Sequence, residues 1–365
     1  MRWIRVNLGE RSYSVGVGSG WLPLLGRDPR AREVLEGRRV VVASDRTVWR
    51  LWGEALVAGL EHAGARVLGQ SLMEPGEAHK TLESARRFWD AWVDAGVERG
   101  DCVAALGGGV VGDVAGFAAA TFMRGIDFVQ VPTTLLAAVD SSVGGKTGID
   151  HPRGKNLIGA FHQPRLVAAD LETLSTLPER EVLSGLAEVV KAGLLGDPDL
   201  FRLVEERGAR LVEDPEALEE AVARAVGVKA RVVEADERES GRRAVLNLGH
   251  TLGHALEAAA GFGRLTHGEA VAVGLAFAAR LSERLGLLGA RDAGRIEAVL
   301  RALGYPLRIP DVDAEKILVA LRHDKKNRAG EPAWVVLRGI GRAEWGHRAP
   351  RETVAALLEE LWVDT

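Results

Sequence analysis

One cysteine, Cys102, occurs in 365 residues, so no disulfide can form within the chain. A reducing compartment is the expectation, and the cytoplasm the expected location. No stretch approaches the roughly 18 uninterrupted apolar residues of a membrane-spanning helix. The first residues, Met1 to Gly9, alternate polar and apolar and lack the apolar core of a secretion signal. The net charge of −4 supplies no global basic field, which argues against nucleic acid as a partner. Lysine is scarce as well. Of 47 basic residues only eight are lysine, leaving 47 − 8 = 39 arginines, and asparagine occurs only at Asn7, Asn156, Asn247 and Asn327. Where arginine serves as the generic cation, a retained lysine points to a site that needs a compact ammonium with rotatable donors. Seven of the eight lie in the segments singled out below.

What is present divides in two. The first half alternates strand and helix patterns. Residues 2–8 and 11–17 read as a hairpin, residues 38–44 and 101–106 as buried strands, and residues 66–72 and 127–131 as further strands. Residues 47–63, 80–95 and 112–122 read as helices. This alternation predicts a parallel sheet covered by helices. After Leu177 the pattern turns helical, over 179–196, 198–211, 215–236, 249–260, 268–286, 290–303, 313–323 and 351–362. A small hairpin is expected at 333–338 and 341–346. Two domains follow, 1–177 and 178–365.

Residues 107–112, Gly-Gly-Gly-Val-Val-Gly, match G-x-G-x-x-G, follow a strand pattern and open a helix pattern. Such glycines let a backbone approach a pyrophosphate at a helix N-terminus, though the same run also serves as a tight structural turn. Residues 132–148 read as a polar loop rich in hydroxyls and glycine, holding Asp140 and Lys146, with Lys155 and Asn156 close behind. That composition suits a phosphorylated polyol. In the helical half, Glu188 and Lys191 share a face of an apolar helix, His250 and His254 share another, and His267 opens a third. One carboxylate and two of these histidines would suit Zn²⁺ with an open coordination position. Core histidines beside a buried Glu188–Lys191 pair fit the same spacing. Lys325 and Lys326 form a late basic pair that suits an anion.

The run GGGVVGDVAGFAAATFMRGIDFVQVPTTLLAAVDSSVGGKTGID resembles the 3-dehydroquinate synthase family. So do PGEAHK at 75–80, GLAEVVKAG at 185–193, LNLGHTLGHALE at 246–257, LTHGEAVAVG at 265–274 and HDKKN at 323–327. The resemblance spans residues 40–345 in one order. It implies a Rossmann-like nucleotide-binding α/β domain, then a mostly helical metal-binding domain. It also implies a homodimer using NAD and Zn²⁺ or Co²⁺ on a small-molecule substrate, 3-deoxy-D-arabino-heptulosonate 7-phosphate.

On the matching positions the resemblance implies Glu188, His250 and His267 as metal ligands. NAD contacts fall on Asp45, Glu77, Lys80, Gly108, Gly109, Val110, Val111, Gly112, Asp113, Thr133, Thr134, Lys146, Lys155, Thr173, Leu174, Ser175 and Thr176. Catalytic positions are Asp140, Lys146, Asn156, Lys191, Arg243 and His254. Substrate contacts add Lys229, Glu239, Asn247 and Lys325 or Lys326, with Arg124 reaching the partner subunit's site. The alternatives are a related sugar-phosphate cyclase acting on a substrate without the carboxylate (of the 2-deoxy-scyllo-inosose or 2-epi-5-epi-valiolone synthase type), an NAD-linked polyol dehydrogenase, and a non-catalytic sugar-phosphate sensor.

Overall fold

The computed structural model describes residues 1–261, 263–308, 312, 314–322 and 332–362. The chain divides into two compact units, Met1–Pro178 and Glu179–Thr365.

In the first unit the strands are β1 (Arg2–Val6), β2 (Tyr13–Gly18), β3 (Arg39–Asp45), β4 (Arg66–Met73), β5 (Cys102–Gly107), β6 (Asp127–Pro132), β7 (Lys146–His151), β8 (Gly154–Phe161) and β9 (Leu166–Asp170). Between them lie the helices α1 (Pro29–Leu35), α2 (Arg46–His62), α3 (Leu82–Asp94) and α4 (Gly109–Thr121). Seven strands form one sheet in the order β1-β2-β9-β6-β5-β3-β4, parallel throughout except for the β1–β2 pair. Val40, Val42, Cys102, Ala104 and Leu106 point to one face, against Leu56 and Leu60 of α2. Val41, Ala43, Val103 and Ala105 point to the other, against α3 and α4. Both faces are covered, which is why these strands read as continuous apolar runs.

Cys102 lies in that core, and burial pushes its thiol up to about 12. At pH 8 only about one thiol in ten thousand is then ionised. A thiol reagent such as 5,5′-dithiobis(2-nitrobenzoate) should therefore leave the native protein unlabelled while the denatured chain takes one equivalent. Stoichiometric labelling of native protein would contradict this burial.

The expected elements of this half are present with shifted ends. The helix expected at 112–122 starts earlier, at Gly109, and that at 80–95 starts later, at Leu82. The stretch 132–148 is not the long loop its composition suggests. It holds a single π-helical turn, Ala137–Ser141, and the start of the β7–β8 hairpin. Gly148 and Gly159 face each other across that hairpin, where a Cβ on Gly159 would lie 2.2 Å from the Thr147 carbonyl oxygen. The close strand approach needs both glycines.

The second unit is helical: α5 (Glu179–Gly196), α6 (Pro198–Arg207), α7 (Pro215–Ala235), α8 (His250–Ala260), α9 (His267–Arg284), α10 (Ala290–Ala302), α11 (Ala314–Arg322) and α12 (Arg351–Trp362). One hairpin, β10 (Trp334–Gly339) with β11 (Arg342–His347), joins them. Helix α9 is buried along most of its length and packs against α5, α8 and α10. No helix among the described residues is long and apolar enough to cross a membrane.

Candidate functional site

In the first unit the chain leaves β3 toward β4 on one side, and β5 lies on the other. The carboxyl ends flanking such a reversal are where open α/β sheets bind ligands. Asp45 ends β3 and Gly107 ends β5. Asp45 Oδ1 accepts hydrogen bonds from the Thr47 and Val48 N–H groups (2.8 and 2.9 Å), so Asp45 also caps α2. Gly108 stands at the N-cap of α4, and no side chain caps this helix end. Its first N–H groups, which like those of any helix lack intrahelical acceptors, therefore have no capping side chain either, as an anion site requires. Side chains would crowd their neighbours there. A Cβ on Gly108 would lie 2.9 Å from Thr134 Cγ2, and one on Gly109 3.0 Å from Ser141 Oγ. Thr133 N–H donates to the Gly107 carbonyl (3.0 Å), and Thr134 Oγ1 accepts from Ala137 N–H (3.1 Å).

Lys80 joins the segments near this helix. Its buried ammonium donates to Asp113 Oδ2 (2.6 Å) and to Asn156 Oδ1 (2.5 Å). Burial works against the ammonium, but Asp113 beside it, together with Glu77 and Asp150, outweighs that and raises its pKa. Asn156 N–H donates to Asp150 Oδ1 (2.7 Å), and Asn156 holds a left-handed φ of 55°. Lys155 pairs with Glu77 (Nζ–Oε1 3.4 Å). Lys146 is exposed and Asp140 half-buried. Thr173 to Thr176 lie in the 3-10 helix Leu171–Thr176, which follows β9, and Thr176 Oγ1 accepts from Trp52 Nε1 (3.1 Å). Arg124 is exposed with φ 72°, next to Met123 at φ 49°.

In the second unit one oxygen or nitrogen atom each from Glu188, His250 and His267 lies within 4.8 Å of the others. Glu188 Oε1 stands 3.7 Å from His250 Nε2 and 3.6 Å from His267 Nε2. This oxygen is fully buried and accepts no hydrogen bond. Glu188 Oε2 meets the buried Lys191 ammonium. A buried carboxylate oxygen without a hydrogen-bond donor beside two imidazole nitrogens could hold a divalent cation. His250 Nδ1 lies 3.1 Å from the Leu248 carbonyl, and His267 Nδ1 3.9 Å from Glu257 Oε2. The Leu248 contact fits an Nδ1–H tautomer that leaves His250 Nε2 facing inward. The His254 ring packs against that of His250, with centroids 5.4 Å apart.

Burial and then the Lys191 charge hold His250 well below the ordinary histidine range. Burial also works against the imidazolium of His267, yet Glu188 and Glu257 outweigh it and push the pKa up to about 9. Below that pH a cation entering the metal-free site must displace a proton.

Lys229, on α7, is buried, and Arg243 is fully buried in the 3-10 helix Arg242–Asn247. Asn247 Nδ2 donates to the Ala244 carbonyl (3.0 Å). One residue here escaped sequence reasoning. Asp236 ends α7 and gathers the loop that follows. Its Oδ1 accepts from Ser240 N–H (2.8 Å) and Oγ–H (2.9 Å), and its Oδ2 from Gly241 and Arg243 N–H (2.8 and 2.9 Å). The Arg243 and Ser240 N–H groups foremost hold its carboxyl far below the usual range. The loop includes Glu239 at φ 56°. An Asp in an acidic, polar stretch (ADERES) gives no sequence signal for this. Lys325 and Lys326 lie outside the described residues.

Comparison with known proteins agrees across the chain. Residues 70–184 match the family model described as 3-dehydroquinate synthase N-terminal, and residues 185–327 the model described as 3-dehydroquinate synthase C-terminal. A 3-dehydroquinate synthase from Pelobacter propionicus is 52% identical over 342 residues, covering 93% of this chain and 94% of that one. Among solved structures, a 2-epi-5-epi-valiolone synthase from Streptomyces hygroscopicus with NAD⁺ and Zn²⁺ bound is 33% identical at a TM-score of 0.87, over 97% of this chain and 98% of that one. A 2-deoxy-scyllo-inosose synthase complexed with carbaglucose-6-phosphate, NAD⁺ and Co²⁺ is 28% identical, also at 0.87, over 98% of this chain and 100% of that one.

Proposed function

The chain belongs to the 3-dehydroquinate synthase family, and from that premise we propose that it converts 3-deoxy-D-arabino-heptulosonate 7-phosphate to 3-dehydroquinate and phosphate. The observation that carries the reading is the donor-free, buried Glu188 Oε1 facing His250 and His267. In the family's reaction the substrate is oxidised, loses phosphate by β-elimination, is reduced again, opens its ring and closes by an aldol step. When bound, NAD supplies the transient hydride acceptance, and Zn²⁺ or Co²⁺ supplies Lewis-acid stabilisation of the substrate's oxygens.

The chain's own residues hold and orient. Glu188, His250 and His267 would hold the cation. The uncapped start of α4, with Gly108 to Asp113, would take the dinucleotide's pyrophosphate, helped by Asp45, Thr133, Thr134, Lys146, Lys155 and Thr173 to Thr176. Lys80 keeps Asp113 and Asn156 in place. We assign Lys146, Asn156 and His254 to the substrate's phosphate. We assign Lys229, Arg243 and Asn247 to its carboxylate, with Asp140, Lys191 and Glu239 orienting the polyol. Buried Lys229 and Arg243 favour the acid substrate over the carboxylate-free substrates of related cyclases, since a buried carboxylate needs cationic partners.

A homodimer is part of this proposal. Strand β8 exposes Leu157, Ile158 and Phe161, and the left-handed Met123–Arg124 pair holds strain that a partner contact would justify. Arg124 would then reach the partner's site. The lone buried cysteine suits the cytoplasm.

The experiment is phosphate release from the heptulosonate phosphate with catalytic NAD. Release without NADH build-up, stopped by a strong chelator and restored by Zn²⁺ or Co²⁺, is the expected result. NADH accumulation without phosphate would replace the reading with a dehydrogenase. Turnover only of carboxylate-free sugar phosphates would replace it with a related cyclase, and binding without turnover of any of them with a sensor.

A further inference from the structure

Three residues of α5 spaced four apart meet three consecutive residues at the start of α9. Glu188 Oε1 faces His267 Nε2 at 3.6 Å. Ser184 Oγ accepts from Gly268 N–H at 3.0 Å. Arg180 binds Glu269 through both carboxylate oxygens, Nε to Oε1 at 3.0 Å and Nη2 to Oε2 at 2.8 Å. The order is antiparallel, and positions 180, 184 and 188 fall on one face of α5 because a helix returns to nearly the same side every four residues.

The contact has no slack. A Cβ on Gly268 would lie 2.2 Å from the Ser184 carbonyl oxygen, so the backbones touch. Glu269 is engaged twice more, as the third helical residue of a capping box with Thr266. Its Oε2 accepts from Thr266 N–H (2.7 Å), and its own N–H donates to Thr266 Oγ1 (3.2 Å). Arg180 Nη2 also donates to the Arg264 carbonyl (2.8 Å). One guanidinium thus ties α5 to the segment before α9 and to its first turn, where His267 is the first helical residue.

We propose that Arg180, through Glu269, is a positioning residue of the cation site: it sets the distance between the ligands on α5 and α9. This rests on the reading of Glu188, His250 and His267 as ligands. Arg180 is 54% exposed and Glu269 19%. An isolated exposed pair contributes little, but this one is bidentate and shares its carboxylate with a helix cap. Groups that orient metal ligands typically alter affinity about 10–100-fold when removed. Exposure at the Arg180 end also means that its removal leaves the core intact.

The test is Zn²⁺ affinity of the full chain by competition with a chromogenic chelator, alongside the melting temperature of the metal-free protein. Arg180→Gln and Glu269→Gln should each weaken Zn²⁺ binding about tenfold. The double variant should lose no more than the worse single one, because the two act as a unit. Arg180→Lys, which keeps the charge but not the fork, should fall between parent and Arg180→Gln. Affinity of Arg180→Gln within twofold of the parent, additive losses, or a loss matched by general destabilisation of the metal-free fold would overturn the inference. A parent that takes up no Zn²⁺ overturns the ligand reading and this inference together, whereas a zinc-binding parent with an unchanged Arg180→Gln variant overturns this inference alone.

Discussion

Replacing Glu188 with glutamine lowers turnover by about a thousandfold or more and strips the protein of bound zinc. A Lewis acid stabilises developing charge by several kcal/mol, and each ~1.4 kcal/mol is a factor of ten in rate. The glutamine amide keeps the size of the side chain but not its charge. It also removes the carboxylate from the buried Lys191 ammonium. Breaking a buried pair from one side typically costs about 3–5 kcal/mol, so the variant should melt earlier as well. The two losses separate in the double variant Glu188→Gln/Lys191→Met. An apolar side chain in place of the ammonium should recover much of the stability, because buried pairs are often no better than their apolar replacements. Turnover should stay abolished. Steady-state phosphate release, metal content and thermal melts read the three quantities. Turnover within tenfold of the parent, with zinc retained, would remove Glu188 from the ligand set.

Gly274→Ala should be the most damaging single methyl among the described glycines of the helical unit. Its Cβ would lie 1.9 Å from the carbonyl oxygen of Gly249, the residue before His250. Backbone cannot yield as a flexible side chain would, so α8 must shift away from α9. Overpacking of this kind typically costs about 1–3 kcal/mol, and occasionally more. Gly59→Ala is the matched control, since its Cβ would lie 1.9 Å from the Leu22 carbonyl oxygen in the other unit. Both variants should unfold at lower denaturant concentration. Only Gly274→Ala should also weaken zinc binding, because only there does the displaced segment carry a proposed ligand. Equal zinc affinity in the two variants would mean that the start of α8 repacks without moving His250.

The helical unit was legible because amphipathic period is a local property, and its helices match the pattern within a few residues at each end. Histidines four apart announced a shared face for the same reason. The β7–β8 hairpin was not legible. Its strands carry Lys146, Gly148, Gly154, Lys155, Asn156 and Gly159, residues that disfavour strands in isolation, and only pairing across the hairpin makes them fit. Helix α1 is short, and its one signal, Asp28 capping before Pro29, is easily passed over. Arg180 and Glu269 stand 89 positions apart, so nothing in either neighbourhood hints at the other. The metal set was half-readable. Spacing gave the candidates, but which two of three histidines face Glu188 is a matter of how α5, α8 and α9 pack.

The placement of lysine has a practical side. Lys80, Lys191 and Lys229 are buried, whereas Lys146 and Lys316 are exposed and Lys155 is half-buried. Amine-directed chemistry, such as succinimidyl labelling or coupling to an activated resin, therefore meets few accessible primary amines among the described residues. Two of those sit on the β7–β8 hairpin, among the groups assigned to the dinucleotide and the substrate. Among the described residues, amine attachment is thus confined to the N-terminus, Lys316 and a hairpin proposed to serve the site, and the buried thiol offers no second handle. Immobilisation of this protein calls for a tag or an introduced surface cysteine.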